Sequence, residues 1–211
     1  MTIKLDAVVL EGTLGVPEGA KGVVIFAHGS GSSRLSPRNT FVARILQQAG
    51  IGTLLFDLLT REEDSVYERR FDIDLLARRL VGATRWLTSR PEMAGKTVGY
   101  FGASTGAAAA LQGASLQGAD IKAVVSRGGR PDLAMPYLAN VRAPTLLIVG
   151  EHDLQVLQLN RQALAHITVE KELAVVPCAT HLFEEPGTLE QAAKLAKDWF
   201  VRHLGRVEPR S

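Results

Sequence analysis

The chain has 211 residues, 46% hydrophobic and 22% charged, a balance that fits one folded domain with a sizeable core and excludes a disordered or low-complexity chain. Lys and Arg number 24 against 22 Asp and Glu, so the formal net charge is only +2, too small to select nucleic acid or an anionic membrane. A single cysteine, Cys178, excludes an intramolecular disulfide framework and any cysteine-rich zinc or iron–sulfur site.

At the start, Met1-Thr2-Ile3-Lys4-Leu5-Asp6 carries an acid where a secretory leader runs apolar. No later apolar run approaches the ~18 residues of a membrane span, so a cytoplasmic protein is expected. Two alternating runs follow, Ile3 to Leu10 and Thr13 to Val16, which predict an antiparallel edge hairpin broken at Glu11-Gly12. Val23 to Ala27 is unbroken apolar, as in a central strand buried on both faces, and it ends in His28-Gly29-Ser30-Gly31. Ser36 and Pro37 predict an N-cap and first turn for a helix that Gly50 stops. Thr53 to Phe56 reads as a strand, and Leu58 to Arg70 as a charged surface loop. Ile73, Leu76, Leu80, Ala83 and Leu87 then form one helical stripe. Lys96 to Phe101 is a strand that turns through Gly102-Ala103-Ser104-Thr105-Gly106 into an alanine-rich helix. Ile121 to Val125, Thr145 to Val149 and Glu172 to Val176 are further strands. Ser126 to Asp132 reads as a loop, Gln158 to Ala165 as a helix, and Leu195 to Phe200 as part of a last amphipathic helix. Strands alternating with helices predict an α/β fold: a mostly parallel sheet with helices on both faces, in a single domain over residues 1–211. Only about 20 residues separate Ile121 to Val125 from Thr145, too few for a cap domain.

A serine hydroxyl is a weak nucleophile at neutral pH and needs an imidazole to take its proton and an acid to orient that imidazole. Gly-x-Ser-x-Gly between strand and helix pushes the serine out of the sheet, because bulky residues two before and two after would collide across the bend. Composition alone gives about one chance match in ten such chains, so the strand-to-helix context carries the assignment of Ser104 as nucleophile. The loop after Ala27 is placed to supply an oxyanion donor, Ser30 or Gly31, beside the Thr105 N–H. Gly150-Glu151-His152-Asp153 offers an acid, and Ala179-Thr180-His181 offers a base, each after a strand. Ser104, Asp153 and His181 stand in the nucleophile-acid-base order that such a fold requires. Asp132 is the alternative acid, and Asp57 reads as a turn former or helix cap. No spacing of the His-x-x-x-His or Cys-x-x-Cys type occurs, so neither a metal nor another cofactor is expected.

Through His28-Gly29-Ser30-Gly31, Gly102-Ala103-Ser104-Thr105-Gly106, Gly150-Glu151-His152-Asp153 and Thr180-His181-Leu182-Phe183, the sequence resembles the α/β-hydrolase superfamily, and within it the small, capless dienelactone hydrolase-like proteins. The resemblance runs from about Val23 to Leu204. It implies the fold, hydrolysis of a small ester, lactone or thioester, and the three residues named above. Dienelactone hydrolases proper use a cysteine at the elbow, whereas this elbow carries Ser104, so the resemblance supports serine-esterase chemistry.

Arg34 and Arg38 flank the expected oxyanion loop, while Arg127 and Arg130 leave a strand end in the loop over the site. If they converge, they suit a carboxylate or phosphate on a small-molecule substrate. Otherwise they are solvated or paired with local acids such as Asp132 and Glu184. Two other functions fit the same residues: a small-ligand binder without catalysis, and an acyl transferase with an acceptor other than water.

Overall fold

The computed structural model describes residues 1–5 and 8–205. The predicted strand Ile3 to Leu10 therefore includes two positions, 6 and 7, outside the described residues. Among the described residues eight strands form one sheet: β1 (Thr2–Leu5), β2 (Val8–Gly15), β3 (Gly22–Ala27), β4 (Gly52–Phe56), β5 (Thr97–Ala103), β6 (Ile121–Arg127), β7 (Thr145–Gly150) and β8 (Lys171–Val176). Their order is β1-β2-β4-β3-β5-β6-β7-β8, antiparallel in the pairs β1/β2 and β2/β4 and parallel from β4 onward. The mostly parallel α/β architecture with an antiparallel N-terminal edge is thus present.

Among the described residues six α-helices pack with the sheet: α1 (Pro37–Gln48), α2 (Arg61–Asp64), α3 (Ile73–Thr88), α4 (Thr105–Gln117), α5 (Leu154–His166) and α6 (Thr188–Leu204). Alternate strand residues feed opposite cores. Val23, Ile25, Leu54 and Tyr100 pack with α3, α4 and α5, while Val24, Phe26, Leu55 and Phe101 pack with α1 and α6. α4 is buried almost all round, from Thr105 to Ala114. Its alanines let it lie close across the sheet, which fixes the start of the helix that follows Ser104. Among the described residues the connection from β6 to β7 holds a 3-10 stretch, Pro131–Asn140, and no cap domain. Among the described residues no helix is long and apolar enough to cross a membrane.

Several boundaries depart from the sequence pattern for identifiable reasons. β2 runs straight through Glu11-Gly12 instead of breaking there, because Gly12 pairs with Phe56 and a Cβ on it would press into Ile3 Cδ1 at 2.8 Å. The charged stretch after Leu58 holds α2, closed by a capping box in which Thr60 Oγ1 accepts from the Glu63 N–H and the Thr60 N–H donates to the Glu63 carboxylate. β6 continues two residues beyond Val125, with Ser126 and Arg127 paired to Leu147 and Ile148 of β7, so Arg127 is a strand residue and not a loop residue. α5 begins at Leu154, directly after Asp153.

Candidate active site

Because β3 and β5 to β8 run parallel, His28, Ser104, Arg127, Asp153 and His181 all leave strands at one edge of the sheet, the carboxyl-end edge where ligands meet in open α/β sheets. Ser104 sits between β5 and α4 at φ 52° and ψ −123°, a left-handed conformation that a non-glycine residue adopts at a cost of about 1–3 kcal/mol. Three backbone hydrogen bonds over-determine it. Its N–H donates to Arg127 O (3.3 Å), and its carbonyl accepts from the N–H groups of Ala107 (3.1 Å) and Arg130 (3.1 Å). A Cβ on Gly106 would land on the Ala27 carbonyl, and one on Gly102 would meet Gly106 O at 2.6 Å. Backbone packing at the bend therefore dictates both glycines.

Asp153 caps α5 with its backbone, since its carbonyl accepts from Leu157 N–H at 2.8 Å, yet its carboxylate does not cap the helix. It points instead to His181, with Oδ2 2.6 Å from Nδ1. Asp153 is largely buried at 14% side-chain exposure, whereas His181 is 39% exposed and faces the cavity. The two loops that carry them are tied together. His152 N–H donates to Ala179 O (2.9 Å), and Cys178 N–H donates to the Glu151 carboxylate (2.9 Å). A Cβ on Gly150 would strike the Ala179 and Thr180 carbonyls, so close loop contact requires glycine there. His152 itself is exposed.

Ser104 and His181 line one cavity of about 270 Å³, together with Gly29, Ser30, Arg38, Asn39, Arg127 and Leu182. Ser30 belongs to this wall, but its N–H donates to Thr105 Oγ1 at 2.8 Å. Gly31, at φ +68°, lines a smaller neighbouring hollow of about 10 Å³ with His28, Asp64 and Arg70. Thr105 is the first residue of α4, so its N–H has no acceptor within the helix. His28 is structural. Its Nε2 accepts from Leu58 N–H at 3.0 Å and its Nδ1 lies 2.9 Å from Gly29 O, tying the ends of β3 and β4 together. Burial holds its pKa below 6.5, against smaller opposing effects of the Gly29 carbonyl and the Asp57 and Asp64 carboxylates.

The four arginines do not converge. Arg34 is paired with Asp57 through both its N–H (2.7 Å) and its guanidinium (2.6 Å), and with Glu11. Asp57 is thus a clamp on the loop after β3, a role that its sequence position as a turn former did not reveal. Arg130 makes two 2.8 Å bonds to Asp132, which also removes Asp132 as a free acid. Arg38 and Arg127 do reach the cavity wall. Asn39, buried beneath the α1 N-cap, accepts from Arg127 Nη2 at 3.3 Å and carries no signal in the sequence beyond following Ser36-Pro37. Burial, and then the like charge of Arg38, push the Arg127 pKa down to about 10, which leaves it charged at neutral pH.

A sheet of this order, with an elbow serine at its carboxyl edge, defines an α/β hydrolase. Residues 10–206 match the dienelactone hydrolase family, and the chain belongs to that family. It is 55% identical to a dienelactone hydrolase from Anabaena variabilis, whose crystal structure superposes with a TM-score of 0.94 over 97% of this chain and 96% of that one. Est1E from Butyrivibrio proteoclasticus shares the fold at a TM-score of 0.84, covering 98% of this chain and 99% of its own, with 14% identity. Proteins from two strains of Mycobacterium tuberculosis, carrying the name of a phosphoribosyl transferase, are 61% identical over 193 residues. That stretch is 92% of this chain but only 44% of theirs.

Proposed function

We propose that the protein is a serine hydrolase that cleaves a small carboxylic ester, lactone or thioester through an acyl-enzyme on Ser104. The observation that carries this reading is the 2.6 Å Asp153–His181 pair facing the same cavity as Ser104. Asp153 accepts a hydrogen bond from His181 Nδ1–H, leaving Nε2 as the lone-pair base. His181 takes the hydroxyl proton as Ser104 attacks the carbonyl carbon, and the carbonyl π-electrons move to the oxygen. The Thr105 N–H stabilises that oxyanion, joined by an amide of the 28–31 loop: Ser30 once it leaves Thr105 Oγ1, or Gly31. Collapse returns the proton from His181 to the leaving alcohol or thiol. Water then attacks the acyl-enzyme with the same base, and the carboxylic acid leaves. The open, capless edge suits small or extended substrates.

The test is labelling of purified protein with a fluorophosphonate, followed by peptide mapping. Label on Ser104 that is lost in Ser104→Ala and falls at least 10²-fold in rate in His181→Asn is expected from an activated serine. Folded wild-type protein that takes no label would overturn the assignment and favour a ligand binder.

A further inference from the structure

Asn160 is a polar residue where the pattern of α5 calls for an apolar one. The buried face of that helix runs through Val156, Leu157, Asn160 and Ala163, and Asn160 is 0% exposed. An amide in an apolar stripe is disfavoured unless its hydrogen bonds are made, and asparagine is also a weak helix former. Its Nδ2 donates to Val156 O, one turn back, at 2.8 Å and to Gly129 O, in the loop after β6, at 2.9 Å. Oδ1 has no hydrogen-bond partner among the described residues, so its polar bonds to them all run through the donor half of the amide.

Only the bond to Gly129 leaves the helix, and it lands on a loop that touches both the nucleophile and the base. Gly128, at φ +51°, lies against His181, since a Cβ there would be 3.1 Å from His181 O and 3.6 Å from its Nδ1. The Arg130 N–H donates to the Ser104 carbonyl at 3.1 Å, one of the bonds that hold Ser104 in its left-handed conformation. Gly129, between them, is pressed onto β6 and α4: a Cβ on it would fall 1.9 Å from the buried Ser126 Oγ and 2.5 Å from Ala107 Cβ. Asp153 directly precedes α5, and Asn160 lies about two turns further along the same helix. We propose that Asn160 is a positioning residue for the triad: its amide ties the helix that Asp153 opens to the loop that braces Ser104 and His181, so that the three keep one mutual geometry. The effect on rate rests on the ester-hydrolase reading, whereas the tie itself does not.

Asn160→Leu keeps the size of the side chain and removes both bonds. Asn160→Ser retains a donor for Val156 O, the bond a serine makes one turn back, and is too short to reach Gly129 O. Thr84→Val serves as the control for lost stability alone, because Thr84 Oγ1 bonds Tyr100 Oη at 2.6 Å in the core, outside the cavity wall. Each variant is assayed on 4-nitrophenyl acetate well below its own melting temperature. A loop shift displaces the reacting atoms, so kcat falls about 10–100-fold in both Asn160 variants with KM within about threefold, while Thr84→Val keeps kcat within about twofold at a lower melting temperature. The second readout is the Nδ1–H proton resonance of His181 in its bond to Asp153, assigned by its absence from His181→Asn. It shifts or broadens in both Asn160 variants and stays in place in Thr84→Val. A kcat within about twofold of wild type in the Asn160 variants, or a loss no larger than that of Thr84→Val, would overturn the positioning role and leave Asn160 a packing residue. If wild-type protein turns over no ester and takes no fluorophosphonate label, the hydrolase reading fails alone and the resonance decides the tie: moved in both Asn160 variants it supports the tie, and unmoved it overturns it.

Discussion

Replacing Asp153 by Asn tests whether this carboxylate orients and supports His181. The substitution is nearly isosteric, and the backbone bonds of Asp153 to Gly150 O and from Leu157 N–H are untouched, so the melting temperature should move little. In the proposed mechanism the loss falls on the imidazolium that forms as Ser104 gives up its proton. With carboxylate and ring charge centres about 4 Å apart and an effective dielectric of about 20, their attraction is about 4 kcal/mol, or about three powers of ten in rate. The amide adds to this, because an Nδ2–H directed at Nδ1 favours the tautomer with a proton on Nε2, which cannot act as base. The partial exposure of His181 lets water offset some of the loss. We therefore expect kcat/KM for 4-nitrophenyl acetate to fall by about 10³-fold. Asp132→Asn, whose carboxylate is held by Arg130, should change it less than about threefold, as expected for a group outside the reacting centre. A loss below tenfold in Asp153→Asn, or a larger one in Asp132→Asn, would refute the assignment of the acid.

Two further perturbations probe the frame that holds the site. Gly106→Ala places a Cβ against the Ala27 carbonyl, a backbone atom of the central strand that cannot swing aside. A destabilisation of about 3 kcal/mol, seen as a fall of about 6–12 °C in melting temperature, is expected, and a shift under about 2 °C would contradict the packing. His28→Gln tests the buried imidazole through pH. With the folded pKa held below 6.5 by burial, the unfolded chain takes up a proton that the folded chain refuses as pH falls through 6.5. Wild type therefore loses stability below that pH by up to about 1.4 kcal/mol per pH unit relative to the variant. Parallel stability–pH curves between pH 7 and 5 would show that His28 does not contribute.

What the sequence made legible follows from where backbone geometry forces residue type. Gly102 and Gly106 announce the elbow because each Cα lies against backbone on the neighbouring element, and the order of Ser104, Asp153 and His181 announces three parallel strand ends. Burial of charge was not legible. Gly128 and Gly129 mark the chain after Val125 as a loop by composition, but pairing of Ser126 and Arg127 with β7 carries the strand two residues further. The partners that make a buried Arg127 tolerable, Asn39, Phe101 and Phe183, come from three distant segments with no local pattern in common. Arg130 pairs with Asp132, a local acid that the sequence offered, whereas the fate of Arg34 was hidden for the same reason as that of Arg127, since Glu11 and Asp57 are distant in the chain.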